Sequence, residues 1–165
     1  MRSVRVEKIE TFFNDKLHKE RVSAVAGQAV TRSLIHASLF GIDSHGVNLF
    51  GHYVDCVKNG RIDGGAKPSY RINGSTILCD AENAFSHFAA AELLPQLSKL
   101  AESSGVSLGT IINSDHIGAV GIHAALSMIS GKIIVGFTNA DALANSPDSK
   151  TTNIGTNPIS CVFRN

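Results

Sequence analysis

Residues 106–140 read VSLGTIINSDHIGAVGIHAALSMISGKIIVGFTNA, and the fold class turns on them. Val106 to Ile112 is a short apolar, partly β-branched run of strand length. Ile117 to Ile129 puts Ile117, Val120, Ala124, Leu126, Met128 and Ile129 on a mostly apolar surface long enough for a helix. Gly131 ends that helix, and Lys132 to Thr138 is a second strand of the buried type. Strand, helix and strand joined by short connections predict a crossover unit, and therefore a sheet that is at least partly parallel. Between the first strand and the helix stand Asn113, Ser114, Asp115 and His116. Ser114 or Asp115 is a suitable N-cap, which would put His116 in the first helical turn. Free backbone N–H groups and the helix dipole there would bind an anion and favour a neutral imidazole. Open α/β proteins tend to place their chemistry at such strand ends. Taken singly, His116 reads more readily as an ordinary polar first-turn residue than as a catalytic one.

On the N-terminal side, Val4 to Val6 reads as a short edge strand. Ile9, Phe12, Phe13 and Leu17 then share one face of a helix. A second helix runs through Val22, Val25, Ala26, Ala29, Val30, Leu34 and Ala37 and ends near Phe40-Gly41. Gly41-Ile42-Asp43-Ser44-His45-Gly46 repeats the arrangement seen at His116, since small polar residues and a histidine precede a helix through Val47, Phe50, Val54 and Val57. Residues 61–68 form a loop, and Asn73-Gly74 marks a two-residue hairpin between Ser69–Ile72 and Ser75–Cys79. Asp80 to Ser86 is a further loop. A helix from Phe88 to Ser103 follows, which Pro95 should kink or shorten. Residues 141–158 are polar and long for a structureless connection, which points to a functional loop, and Ile159 to Phe163 opens another strand.

Composition sets the outer limits. The 165 residues are one domain's length, with 43% hydrophobic and 18% charged residues, ordinary values for a globular protein. A formal net charge of +1 gives no argument for nucleic acid or an anionic membrane as partner. No stretch has the length and apolarity of a transmembrane helix, and the first ten residues lack the apolar core of a secretory signal. A cytoplasmic location is the expectation. Cys56, Cys79 and Cys161 form no CxxC pair, so neither a disulfide framework nor a zinc knuckle is indicated. His45 and His52, like His116 and His123, are seven apart on one helical face, too far for one ion without further ligands. No metal site is expected, and GxGxxG after a strand, GxxxxGK[ST] and GxSxG are all missing.

A neutral histidine at a strand end suits general acid–base work on a C–OH or C=O, and the helix N-terminus beside it suits a carboxylate or phosphate. The motifs then carry a resemblance. DSHG at 43–46 followed by Tyr53, NSDHIGAVG at 113–121, FTNA at 137–140 and GTNP at 155–158 resemble, in order and interval, the malate/L-lactate dehydrogenase family of the second, non-Rossmann type. That family includes ureidoglycolate, sulfolactate and diketogulonate oxidoreductases and cyclic ketimine reductases.

The resemblance implies an NAD- or NADP-dependent oxidoreductase for 2-hydroxy or 2-oxo acids, working as a cytoplasmic homodimer on an unusual α/β fold with a mixed sheet and crossover helices. It implies His45 and His116 as acid/base and substrate-polarising residues. Ser44 would lie beside substrate or nicotinamide, Tyr53 would line the site, and Asn113 with the Thr156-Asn157 turn would shape the crevice. Cofactor contacts fall to Ser44, His45, Thr156 and Asn157. The chain departs from the pattern at Leu49, where many relatives carry a carboxylate-gripping arginine, and at Ala84 and Ser86, in place of a glycine-rich turn. Family members are much longer. The expectation is therefore an N-terminal portion, helical over 1–60 and α/β over 61–165, with the C-terminal half absent and turnover by this piece alone in question. Two other readings compete with the oxidoreductase. One is a non-catalytic dimerising or binding module derived from the fold, and the other a metal-assisted hydrolase or lyase using the two histidine clusters.

Overall fold

The computed structural model describes residues 4–128 and 131–163. Three helices come first: α1 (Val6–Lys19), α2 (Ala24–Leu39) and α3 (Phe50–Lys58). Helix α1 already includes Val6, so the expected edge strand at Val4 to Val6 does not form; residues 6–19 carry a helical apolar face that claims Val6 as its first turn. Ser23 caps α2 by accepting a hydrogen bond from the Ala26 N–H. Phe13 and Leu17 of α1, Val30 and Leu34 of α2, and Phe50 and Tyr53 of α3 meet in one buried cluster. Within it the Phe13 and Phe50 rings stack 3.6 Å apart at 4°.

Strands β1 (Ser69–Asn73) and β2 (Thr76–Asp80) pair antiparallel through a two-residue loop. That loop is Gly74-Ser75, one residue on from the Asn73-Gly74 predicted, and Gly74 takes the positive φ of 56° that the turn requires. Helix α4 (Ser86–Ser104) then returns the chain, so that β3 (Leu108–Ile112) pairs parallel with β2. Ile77, Cys79, Ala89 and Leu93 form the core between this sheet and α4. Pro95 does not shorten α4: it is exposed, as is Ala91 one turn earlier, so the carbonyl left without an N–H donor faces water.

The parallel pairing is real, but its partners differ from those predicted. The sheet order is β1-β2-β3, whereas β4 (Ile133–Phe137) pairs antiparallel with β5 (Ile159–Phe163) in a separate two-stranded sheet. The crossover unit is therefore β2–α4–β3, built on a 19-residue helix. Helix α5 (Val120–Leu126) has only seven residues, about 10 Å of rise, and does not bring β4 back beside β3. It starts later than Ile117 for two local reasons. Gly118 has φ 71°, outside the helical region, and the Ile117 carbonyl accepts a 2.7 Å hydrogen bond from His123 Nε2. Ile129, the expected end of that helix, lies outside the described residues.

Candidate active site

His45 and His116 do not occupy the first turns of α-helices. His45 ends a 3₁₀ turn over Asp43–His45, and His116 lies in irregular chain before α5, whose N-cap is Ala119. Neither Ser114 nor Asp115 caps α5, so the helix dipole is not what tunes these rings. The fold nevertheless brings the two histidines together from 71 positions apart in sequence: their ring centroids are 5.6 Å apart and the planes 26° from parallel.

Each ring is held from its Nδ1 side. Ser44 Oγ lies 2.9 Å from His45 Nδ1. Tyr53, fully buried on α3, sets its hydroxyl 2.7 Å from His116 Nδ1, and the Gly118 N–H donates to the same nitrogen at 3.3 Å. A backbone N–H can only donate, so this nitrogen carries the lone pair; Tyr53 donates to it as well, and the neutral ring bears its proton on Nε2. Among the described residues, no protein hydrogen bond engages Nε2 of either histidine, and these atoms lie on the sides of the rings away from the holding groups. Burial and the nearby His45 and His52 hold the His116 pKa below the ordinary histidine range, so the ring is neutral near pH 7. Burial raises that of Tyr53, which stays a phenol.

Beneath this pair sit groups that the sequence reading did not assign. His87, on the first turn of α4, is 1% exposed, and among the described residues neither of its ring nitrogens has a hydrogen-bond partner. Its ring meets Tyr53 edge-on at 4.8 Å and His123 at 5.3 Å. Burial, with His123 and His116 adding to it, pushes its pKa far down. Asp115 pairs with Arg61 at 2.8 Å, and its backbone carbonyl accepts from Ser86 Oγ. No local motif marks Arg61 or His87: one sits in a loop and the other behind an irregular turn, and only the fold reveals what they face.

Asn113 and the Thr156-Asn157 turn are placed differently. The Asn113 amide donates to both carboxylate oxygens of Asp80 at 3.0 Å, with its backbone at φ 50°, so this side chain ties the 80–84 turn to the end of β3. Asn157 accepts from the Ala140 N–H at 3.0 Å and steadies the long loop beside β4 and β5. No hydrogen bond or ring contact joins Thr156 or Asn157 to the histidine pair among the described residues. Leu49 packs against the first core, so no cation stands at that position. Ser44 is small and exposed and the His45 imidazole beside it keeps an unengaged edge, so these residues leave room for the flat ring of a nicotinamide.

Comparison with known proteins agrees with the fold. The family model described as malate/L-lactate dehydrogenase matches residues 4–165. A 2,3-diketo-L-gulonate reductase from Citrobacter koseri is 29% identical over 158 residues, 94% of this chain and 47% of that protein. The malate dehydrogenase structure from Pyrococcus horikoshii OT3 superposes with a TM-score of 0.90 at 26% identity, over 97% of this chain and 46% of that one. Sulfolactate dehydrogenase from Methanocaldococcus jannaschii gives a TM-score of 0.88 at 25% identity, over 98% and 47%. The chain thus spans about half the length of the relatives it matches. No helix among the described residues is long and apolar enough to cross a membrane.

Proposed function

Because the chain belongs to the malate/L-lactate dehydrogenase family, we propose that it carries the proton-transfer half of an oxidoreductase site that interconverts a 2-hydroxy acid and its 2-oxo acid. The observation that supports this reading is the stacked His45–His116 pair, each ring held at Nδ1 with its Nε2 left for a ligand. His116 is the proton carrier: in the tautomer that bears its proton on Nδ1 and donates it to the Tyr53 oxygen, its Nε2 takes the proton from the substrate hydroxyl in the oxidising direction and returns it in the other. His45, held by Ser44, polarises the same oxygen. The cofactor, NAD or NADP, supplies the hydride acceptor.

Ser44 and His45 would hold the nicotinamide end, with Thr156 and Asn157 along the crevice and Asn113 shaping its floor through Asp80. Arg61 takes the carboxylate-binding role that Leu49 leaves open. Its side chain is 58% exposed, anchored by Asp115, and near enough for its charge to lower the His116 pKa. A homodimer is the proposed assembly, to be checked by sedimentation.

The test is a titration of NADH and NADPH into the chain, followed by nicotinamide fluorescence, and then a panel of 2-hydroxy and 2-oxo acids. Saturable binding with acid-dependent turnover is expected, and His116→Asn should lower turnover by about 10²-fold or more. Turnover unchanged in His116→Asn would remove the assignment.

A further inference from the structure

His87 is the one buried histidine beside the site with both ring nitrogens unpartnered, in a position where a leucine or phenylalanine would leave nothing unsatisfied. Its surroundings suggest what the nitrogens are for. The Gly118 backbone is wedged between two imidazoles. Its N–H points to His116 Nδ1, while a Cβ on Gly118 would come within 2.9 Å of His87 Nε2 and 3.7 Å of the Tyr53 hydroxyl. His87 Nε2 and the Tyr53 hydroxyl therefore face the same small space.

Tyr53 has one hydrogen to donate. While His116 Nδ1 holds a lone pair, that hydrogen goes there at 2.7 Å. A working proton carrier must also pass through states in which Nδ1 bears a proton: the imidazolium, and the tautomer whose Nε2 is the free base. In either state His116 donates from Nδ1 to the Tyr53 oxygen, and the Tyr53 hydrogen turns to another acceptor; the His116 backbone carbonyl, at 3.5 Å, is a long and weak one. We propose that His87 Nε2 is that acceptor, held in reserve, so that Tyr53 reverses the direction of its hydrogen bond as His116 changes protonation. The reversal is a rotation of one O–H bond with a small shift of two rings. No covalent bond other than N–H and O–H is involved, and the phenol stays a phenol. His87 is thus a positioning residue that acts on His116 through Tyr53.

The titratable groups facing the His116 ring are His45 from the 3₁₀ turn, His52 and Tyr53 from α3, Arg61 from the following loop and its neighbour Asp115. None of these offers Tyr53 a buried acceptor on the side where His87 stands.

The proposal rests on His116 as proton carrier, but its test needs no turnover. Ring ¹⁵N–¹H spectra of the 165-residue chain across pH report the tautomer and pKa of His116. His87→Leu should lower the proton affinity of His116 about tenfold, a downward shift of roughly one pH unit, because its charged form loses the reversed bond. His87→Gln, which keeps a polar atom near the Nε2 position, should recover most of that shift. In a Tyr53→Phe background the same His87→Leu change should do nothing, since the coupling runs through the hydroxyl. An unchanged His116 titration in His87→Leu, or an equal shift with Tyr53 absent, would overturn the proposal. Should His87→Leu not fold, His87→Met takes its place in the same cycle. Loss of nicotinamide turnover with the coupling intact would instead count against the oxidoreductase reading alone.

Discussion

Three histidines, His87, His116 and His123, are held neutral, chiefly by burial, and this has a definite sign for stability. Their folded pKa values lie below the unfolded one of about 6.5, so on acidification the unfolded chain binds protons first. The stability they contribute is therefore fully present above pH 6.5 and is lost as pH falls from there toward the folded values. For the buried His87 and His123 the loss is about 1.4 kcal/mol per pH unit within each ring's own window, and for the more exposed His116 it is smaller. Urea unfolding between pH 7.5 and 5 should show the loss. His87→Leu should flatten it, because the most strongly shifted group is gone. A profile that is level over that range would show that these rings titrate normally. Arg61 gives a second prediction at this scale. Asp115 has only 5% of its side chain exposed, so Arg61→Met strands a mostly buried carboxylate. With the Arg61 side chain 58% exposed, the cost is discounted to about 1–2 kcal/mol, read as a lower unfolding midpoint. If the carboxylate role is right, substrate KM should rise with little change in kcat.

At the scale of elements, Pro95 separates two accounts of α4. If the exposed position is what makes a mid-helix proline tolerable, then Pro95→Ala restores an N–H to the Ala91 carbonyl without disturbing packing. Stability should rise by about 1–2 kcal/mol, measured by chemical denaturation; a fall would mean that a bend at Pro95 serves the packing of α4 on β2 and β3. Elements whose ends are set by local chemistry were legible from the residues. The end of α2 near Phe40-Gly41 and the Gly74 turn were within a residue or two of expectation. The start of α5 was not, because it is set by a bond across six residues, from His123 to the Ile117 carbonyl, and by the backbone of Gly118. Strand partners were misread for a related reason: residues 106–138 show the pattern of a crossover, but pattern does not say which strand accepts β3. In the site, SHG and SDHIG pointed to His45 and His116. The support from Tyr53 carries over from the family likeness, whereas His87 and Arg61 come from helix and loop positions that no short motif marks.

At the scale of the whole molecule, the sheet of β4 and β5 stands out. Its register pairs Ile133 with Phe163, Val135 with Cys161 and Phe137 with Ile159, and all six side chains are exposed. Its other face is occupied: Val120 of α5 approaches Gly136, and Gly121 lies against Ser160, where the glycines permit close contact. A two-stranded sheet with one bare apolar face is marginal by itself, and contiguous apolar patches of this kind are uncommon on monomers. Relatives about twice as long share this frame at a TM-score of 0.90, so the same strands exist there in a larger structure. The 165-residue chain in dilute solution should accordingly bind a hydrophobic dye such as ANS and self-associate as its concentration rises. Paired changes Val135→Lys and Ile159→Lys alter only side chains that point to solvent, 49% and 70% exposed. They should therefore abolish most dye binding and shift sedimentation toward monomer while leaving the unfolding midpoint within about 0.5 kcal/mol of the parent. A large loss of stability in the double variant would show that this face is already packed in solution, and that the sheet owes its order to contacts made there.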